Sequence, residues 1–197
     1  MCVDRAALSR EEAVRESLQS DPVITSIKDD RALEAALETD HEVLFLLYGS
    51  LIDIEETVAR CIAAGKIVLV NVDFIEGLSS QDVAVQWLAT HTEADGILSS
   101  KPAVVRAARR AGLTAVQRYF LVDSISYHQL ARVLRQGEPH FVEILPGCIP
   151  RVIEWLRADF STPVIAGGLV CERGDVIAAL GAGALAVATS DRAVWAM

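Results

Sequence analysis

Phe141-Val142-Glu143-Ile144-Leu145-Pro146-Gly147-Cys148-Ile149-Pro150-Arg151-Val152-Ile153-Glu154-Trp155-Leu156 contains one complete unit of the expected fold. Residues 141–145 form a short run that is apolar on both faces except at Glu143, as a strand buried between two layers requires. Pro146 and Gly147 break the run. Ile149, Val152, Ile153 and Leu156 then recur at i, i+3, i+4 and i+7, which lays one apolar stripe along a helix. Strand, turn and amphipathic helix together make a βα unit.

The same grammar repeats in both directions from this stretch. Apolar, β-branched runs fall at residues 23–27, 43–47, 67–72, 96–98, 114–120, 141–145, 164–166 and 185–188, which predicts eight parallel strands. The segments between them carry helical periodicity, as Ile54, Val58, Cys61 and Ile62 show. Gly65, Gly112 and Gly137 stand where helices should stop, Ser79 with Asp82 resembles a capping box, and Pro102 suits a first helical turn. The expected fold class is α/β, a compact single-domain (β/α)8 TIM-type barrel with an extra N-terminal helix. An open doubly wound sheet is the alternative, but it calls for a glycine-rich first turn, and the turn after Ile27 reads Lys28-Asp29-Asp30. With 197 residues, against about 250 in a typical barrel, the loops must be short. Residues 1–21 are expected to form a helical extension that closes the bottom of the barrel or meets a partner, and 22–197 the barrel itself.

Composition narrows the class further. No apolar run approaches the roughly 20 residues that cross a bilayer, and the charged amino terminus lacks the apolar segment of a signal peptide. A cytoplasmic protein without membrane contact is expected. Cys2, Cys61, Cys148 and Cys171 are scattered singly, away from histidines at ligand spacing, and read as free, mostly buried thiols with no metal and no cofactor. His41, His91, His128 and His140 fall beside helices or before a strand and are expected at the surface. The net charge of −9 opposes broad binding to a nucleic-acid backbone.

In a barrel the ligand meets the loops that follow the strands. Gly167-Gly168 follows the seventh run and Thr189-Ser190 the eighth, the two places where barrels often hold a phosphate. Backbone N–H groups at the glycines and the two hydroxyls would donate to the anion; alternatively the glycines only form a tight turn and Ser190 only caps a helix. Lys28 and Arg118 either neutralise the phosphate or pair with Asp73 or Glu143 as structural ion pairs. Asp73 and Glu76 could accept from ligand hydroxyls, and Gln117 and Gly147 complete the expected ring of loop residues. No catalytic motif of known type is present, although Lys28, Asp73, Glu76 and Glu143 leave open an enzyme acting on a small phosphorylated metabolite.

The stretches Ile27-Lys28-Asp29, Val43-Leu44-Phe45-Leu46-Leu47-Tyr48-Gly49, Val72-Asp73-Phe74-Ile75-Glu76-Gly77-Leu78-Ser79, Gln117-Arg118-Tyr119-Phe120 and Glu143-Ile144-Leu145-Pro146-Gly147 resemble the glycerol-3-phosphate-responsive antiterminator family. Ile165 to Leu169 and Thr189-Ser190 extend the resemblance, which runs from about Pro22 to Trp195. It implies a cytoplasmic barrel that is not an enzyme, senses glycerol 3-phosphate and, when loaded, binds a leader mRNA to prevent premature termination of transcription of glycerol-metabolism genes. The phosphate would then meet the Gly167–Gly168 and Thr189–Ser190 loops, and the hydroxyls Asp73 and Glu76. Position 71 departs from the family pattern, with Asn in place of His.

For RNA, Arg106, Arg109 and Arg110 share one helical face at i, i+3 and i+4, which is either an RNA contact or a solvated basic face. Given the acidic balance, a metabolite sensor acting through a protein partner is a further alternative, and a homodimer remains open.

Overall fold

The structure, a computed structural model, describes residues 8–79 and 81–197. Eight strands alternate with helices: β1 (Val23–Ile27), β2 (Val43–Leu46), β3 (Ile67–Asn71), β4 (Gly96–Ser99), β5 (Thr114–Phe120), β6 (Phe141–Leu145), β7 (Val164–Gly167) and β8 (Ala186–Thr189). All pair in parallel and in sequence order, and β8 returns to β1, so the sheet is a closed barrel. The helices are α1 (Arg10–Ser20), α2 (Asp30–Leu37), α3 (Ile54–Ala63), α4 (Asp82–His91), α5 (Pro102–Arg110), α6 (Ser124–Gly137), α7 (Pro150–Asp159), α8 (Arg173–Gly181) and α9 (Arg192–Trp195).

Alternation along each strand sorts the apolar residues into two layers. Ile24, Phe45, Leu69, Leu98, Val116, Phe141, Ile165 and Ala186 fill the barrel interior, whereas Leu44, Val70, Ile97, Val142, Ile144 and Val187 pack under the helices. Both faces are therefore buried, which is why the sequence shows runs rather than alternation. Each strand lies within one residue of its expected bounds.

α1 plugs the lower end of the barrel. A capping box starts it, with the Ser9 hydroxyl accepting from Glu12 N and Ser9 N donating to the Glu12 carboxylate at 2.9 Å. Val14 and Leu18, a turn apart, are buried with the interior residues Ile24, Val43 and Ile67. On the flank, the Arg15 guanidinium lies 5.1 Å from the centre of the Phe141 ring.

Gly65 and Gly112 follow α3 and α5 in left-handed conformations, and Pro102 opens α5, as the sequence suggests. Two local expectations fail. The capping box is not formed at Ser79: α4 begins at Asp82 behind Gln81, and among the described residues Ser79 accepts through its carbonyl from Gln81 N. Gly137 is the last helical residue of α6, and Glu138 takes the left-handed turn at φ 48°. At 137 the helix passes close to β5, since an added Cβ would stand 3.1 Å from Gln117 Oε1.

The histidines and cysteines also correct the sequence reading. His41 is buried beneath the barrel, with Nδ1 2.6 Å from Asp21 Oδ2 and Nε2 3.1 Å from the Trp195 carbonyl, so it ties both ends of the chain to β2. His140 accepts from Ala115 N at 2.9 Å, and burial lowers its pKa. Among the described cysteines only Cys61 is buried; Cys148 is partly exposed and Cys171 exposed, while Cys2 lies outside the described residues. No described helix is long and apolar enough to cross a membrane.

Asp29, next to the expected ligand contact Lys28, is the N-cap of α2 and accepts from Ala32 N at 2.7 Å. Asp29→Ala is expected to lose about 1 kcal/mol of stability, seen as a lower urea midpoint with an unchanged slope.

Candidate functional site

The inward-facing positions turn polar at the carboxyl ends of the strands. Ser26 and Lys28 continue the inward parity of Ile24, Arg118 that of Val116, and Glu143 that of Phe141. These side chains and the loops after β7 and β8 enclose a cavity of about 220 Å³. It holds both cations that the sequence placed at the mouth, Lys28 and Arg118, together with Glu143, Gly168, Thr189 and Ser190.

One side of the cavity gathers hydrogen-bond donors. Lys28 Nζ donates to Ser190 Oγ at 2.8 Å, which leaves the Ser190 proton free to point at a ligand. Opposite, Gly168 and Leu169 both adopt positive φ, 71° and 56°, and turn the chain so that backbone lines the cavity. The N–H groups of Gly168, Leu169 and Ser190 find no acceptor among the described residues. An ammonium, a hydroxyl and unengaged amides around one space match a phosphate monoester.

Thr189 plays a different part from the one expected. Its hydroxyl donates to the Val170 carbonyl at 2.6 Å and accepts from Asp191 N at 3.0 Å, so the proton offered to a ligand in the sequence reading is already used. Its carbonyl accepts from the Trp195 indole at 2.9 Å. Thr189 thus ties together the loops after β7 and β8, and its hydroxyl is engaged within them.

The other side of the cavity is an ion pair with loose ends. Arg118 Nε lies 3.4 Å from Glu143 Oε2, close enough for charge attraction but without hydrogen-bond geometry. Arg118 Nε and Nη1 and Glu143 Oε2 are all buried without a hydrogen-bond partner among the described residues. Burial pushes the Glu143 carboxyl up to about 7, with the Arg118 charge pulling it partly back. The guanidinium lies over the Phe74 and Phe120 rings, 5.2 and 5.6 Å from their centres. The carboxylate is held against Gly167, where an added Cβ would collide with it.

Four expected ligand contacts lie elsewhere or act indirectly. Gln117 points outward, because it alternates with Arg118; its amide donates to the carbonyls of Ser99, Ser100 and Arg118. Asp73 accepts from the Ser99 hydroxyl at 2.8 Å and from Ser100 N at 2.6 Å, which ties the loops after β3 and β4 together outside the cavity lining. Glu76 is exposed, and its backbone bridges to Ser50. Gly147 is buried, follows the cis Leu145–Pro146 bond, and donates through its amide to the Gly167 and Gly168 carbonyls at 2.6 and 3.0 Å. It braces the anion-side turn from behind.

Ser26, Leu47 and Cys171 line the cavity and were not singled out from the sequence. Ser26 could have been, since it stands two residues before Lys28 on the same face.

The arginine face sits on α5, outside the barrel. Arg106, Arg109 and Arg110 are exposed, but Arg109 Nη1 donates to the Glu138 carbonyl at 2.7 Å and Arg110 Nη2 pairs with Asp82 Oδ2 at 3.0 Å. Two of the three guanidinium groups therefore hold neighbouring helices. Leu51, Ile52, Phe74, Phe120, Val122 and Leu169, all in loops or strand ends on the cavity side, leave an apolar rim exposed to solvent.

Comparison with known proteins agrees with the fold and gives the cavity a context. The family described as "Glycerol-3-phosphate responsive antiterminator" matches residues 23–195. The uncharacterised protein YgcP of Escherichia coli (strain K12) is 39% identical over 180 residues, 91% of this chain and 94% of YgcP. The crystal structure of the glycerol uptake operon antiterminator regulatory protein of Listeria monocytogenes superposes with a TM-score of 0.87 at 30% identity, over 89% of this chain and 95% of that one. A glycerol uptake operon antiterminator-related protein of Thermotoga maritima gives 0.79 at 28% identity, over 89% and 98%.

Proposed function

This chain belongs to the glycerol-3-phosphate responsive antiterminator family, and from that premise we propose that it is a regulator whose barrel mouth binds glycerol 3-phosphate and whose loaded form binds a leader mRNA. The observation that carries the ligand half is the Lys28–Ser190 contact facing the Gly168–Leu169 turn across one cavity. The phosphate sits against that group, and the glycerol end reaches toward Arg118 and Glu143.

The RNA half rests on the family and on the α5 face. Exposed arginines make favourable phosphate contacts, yet the chain carries a net charge of −9, so binding must be local and strongly dependent on salt. Calorimetric titration with glycerol 3-phosphate tests the first half, and a gel shift with leader RNA at fixed salt, with and without that ligand, tests the second. Arg106→Ala, Arg109→Ala and Arg110→Ala combined are expected to abolish the RNA shift and leave ligand affinity intact. Equal RNA affinity in the triple variant would remove α5 from the interface.

One observation favours a second reading, a metabolite sensor acting through a protein partner. The apolar rim around the cavity is the kind of surface that a protein covers, and the ligand would lie beneath it. Ligand-dependent capture of one defined protein, without any RNA shift, would decide for it.

A further inference from the structure

The Arg118–Glu143 pair has a property that a structural ion pair should not have. Both groups are withdrawn from water, the Glu143 residue being only 4% exposed, yet Arg118 Nε, Arg118 Nη1 and Glu143 Oε2 have no hydrogen-bond partner among the described residues. Leaving such atoms unpaired is costly, and most of all for charged groups. They line the same cavity as Lys28 and Ser190.

We propose that Arg118 and Glu143 form a hydroxyl-reading subsite, which makes this cavity select phosphate esters that carry a hydroxyl over those that carry a carboxylate or an ammonium group. The inference rests on the phosphate site described above and assigns what is read at its far end. Guanidinium nitrogens only donate, and an ionised carboxylate only accepts. A group seated beside both must accept from one and donate to the other, and a hydroxyl is the smallest that does so. A ligand carboxylate would satisfy Arg118 but set a second negative charge beside Glu143. An ammonium group would satisfy Glu143 and repel Arg118. The guanidinium packs on the Phe74 and Phe120 rings, and Gly167 backs the carboxylate, so both groups are seated before a ligand arrives. The pair is preorganised, so little ordering is left to do on binding.

Rejection by an unpaired buried polar group is steep, reaching about 10⁴-fold in the most selective sites. The present pair is an imperfectly enclosed version, and a preference of about 10- to 100-fold is expected.

The test is calorimetry of the full chain at pH 8 and fixed ionic strength, with glycerol 3-phosphate, 2-phosphoglycolate (a carboxylate and no hydroxyl), phosphoethanolamine and inorganic phosphate. At that pH the Glu143 carboxyl, whose pKa lies near 7, is ionised. Wild-type protein should bind glycerol 3-phosphate at least 10-fold more tightly than the carboxylate and ammonium esters. Glu143→Gln should narrow or invert the preference against 2-phosphoglycolate. The wild-type series needs no variant, so a poorly folding Glu143→Gln protein does not remove the test. Equal affinity for 2-phosphoglycolate in the wild type, or an unchanged ratio in Glu143→Gln, overturns the subsite while the phosphate site stands. No binding of any ester or of inorganic phosphate overturns both. A different hydroxyl-bearing phosphate ester binding where glycerol 3-phosphate does not would overturn only the choice of ligand.

Discussion

Gly147→Ala is expected to lower the stability of the protein by about 3 kcal/mol, or roughly 6–12 °C in melting temperature for a chain of this size. A Cβ on residue 147 would come within 2.6 Å of Ala166 C and Gly167 N and 2.9 Å of Ala166 Cα. All three are backbone atoms of β7, which is paired on both sides, Ala166 with Ile144 and with Val187. No rotamer change relieves such an overlap, so either the loop after β6 or the end of β7 must move. Either movement breaks the bonds from Gly147 N to the Gly167 and Gly168 carbonyls and displaces the turn that faces Lys28 and Ser190. Ligand affinity should fall with stability. Gly181→Ala provides the contrast, because nothing stands within 4 Å of the added methyl and the residue is helical. It should be neutral or stabilise by about 0.4–1 kcal/mol. Equal melting temperatures for the two variants would show that the close approach at Gly147 is not real.

The barrel was legible because each strand is buried on both faces, which leaves an unbroken apolar run, and because each helix faces the core on one side only. The same feature hid part of the site. Where both faces of a strand are apolar, alternation does not say which face is inward, so Gln117 and Arg118 looked equivalent although they point to opposite layers. The inward parity emerges only from the register that sets Arg118 beside Glu143. Loop residues were harder still. Asp73 and Thr189 have the right chemistry for a ligand, but their hydrogen bonds go to neighbouring loops at distances that no local pattern encodes. His41 was misplaced for a similar reason, since its partners Asp21 and Trp195 come from both ends of the chain. Lys28, Gly168 and Ser190, which line the cavity, could be singled out because βα barrels place their chemistry at strand ends and all three stand directly after a strand.

The second large effect concerns charge. Folding raises the Glu143 carboxyl from an ordinary value of 4.5 to about 7, chiefly by burial. Between those values the folded chain keeps a proton that the unfolded chain releases, so stability must fall as pH rises through the window and level off above 7. At roughly 1.4 kcal/mol per pH unit the loss amounts to about 3 kcal/mol between pH 5 and pH 8. Glu143→Gln has no such proton. The stability difference between wild type and variant should therefore move by about 3 kcal/mol in favour of the variant from pH 5 to pH 8, measured by urea denaturation at each pH. Other titrating groups are common to both proteins and cancel. Parallel profiles would mean that Glu143 meets water in solution and carries no buried charge. A hydroxyl donated to the ionised carboxylate should offset part of the penalty, so saturating glycerol 3-phosphate at pH 8 should stabilise the wild type more than it stabilises the Gln variant. The unliganded protein would then hold at its mouth an unsatisfied charge that ligand binding relieves.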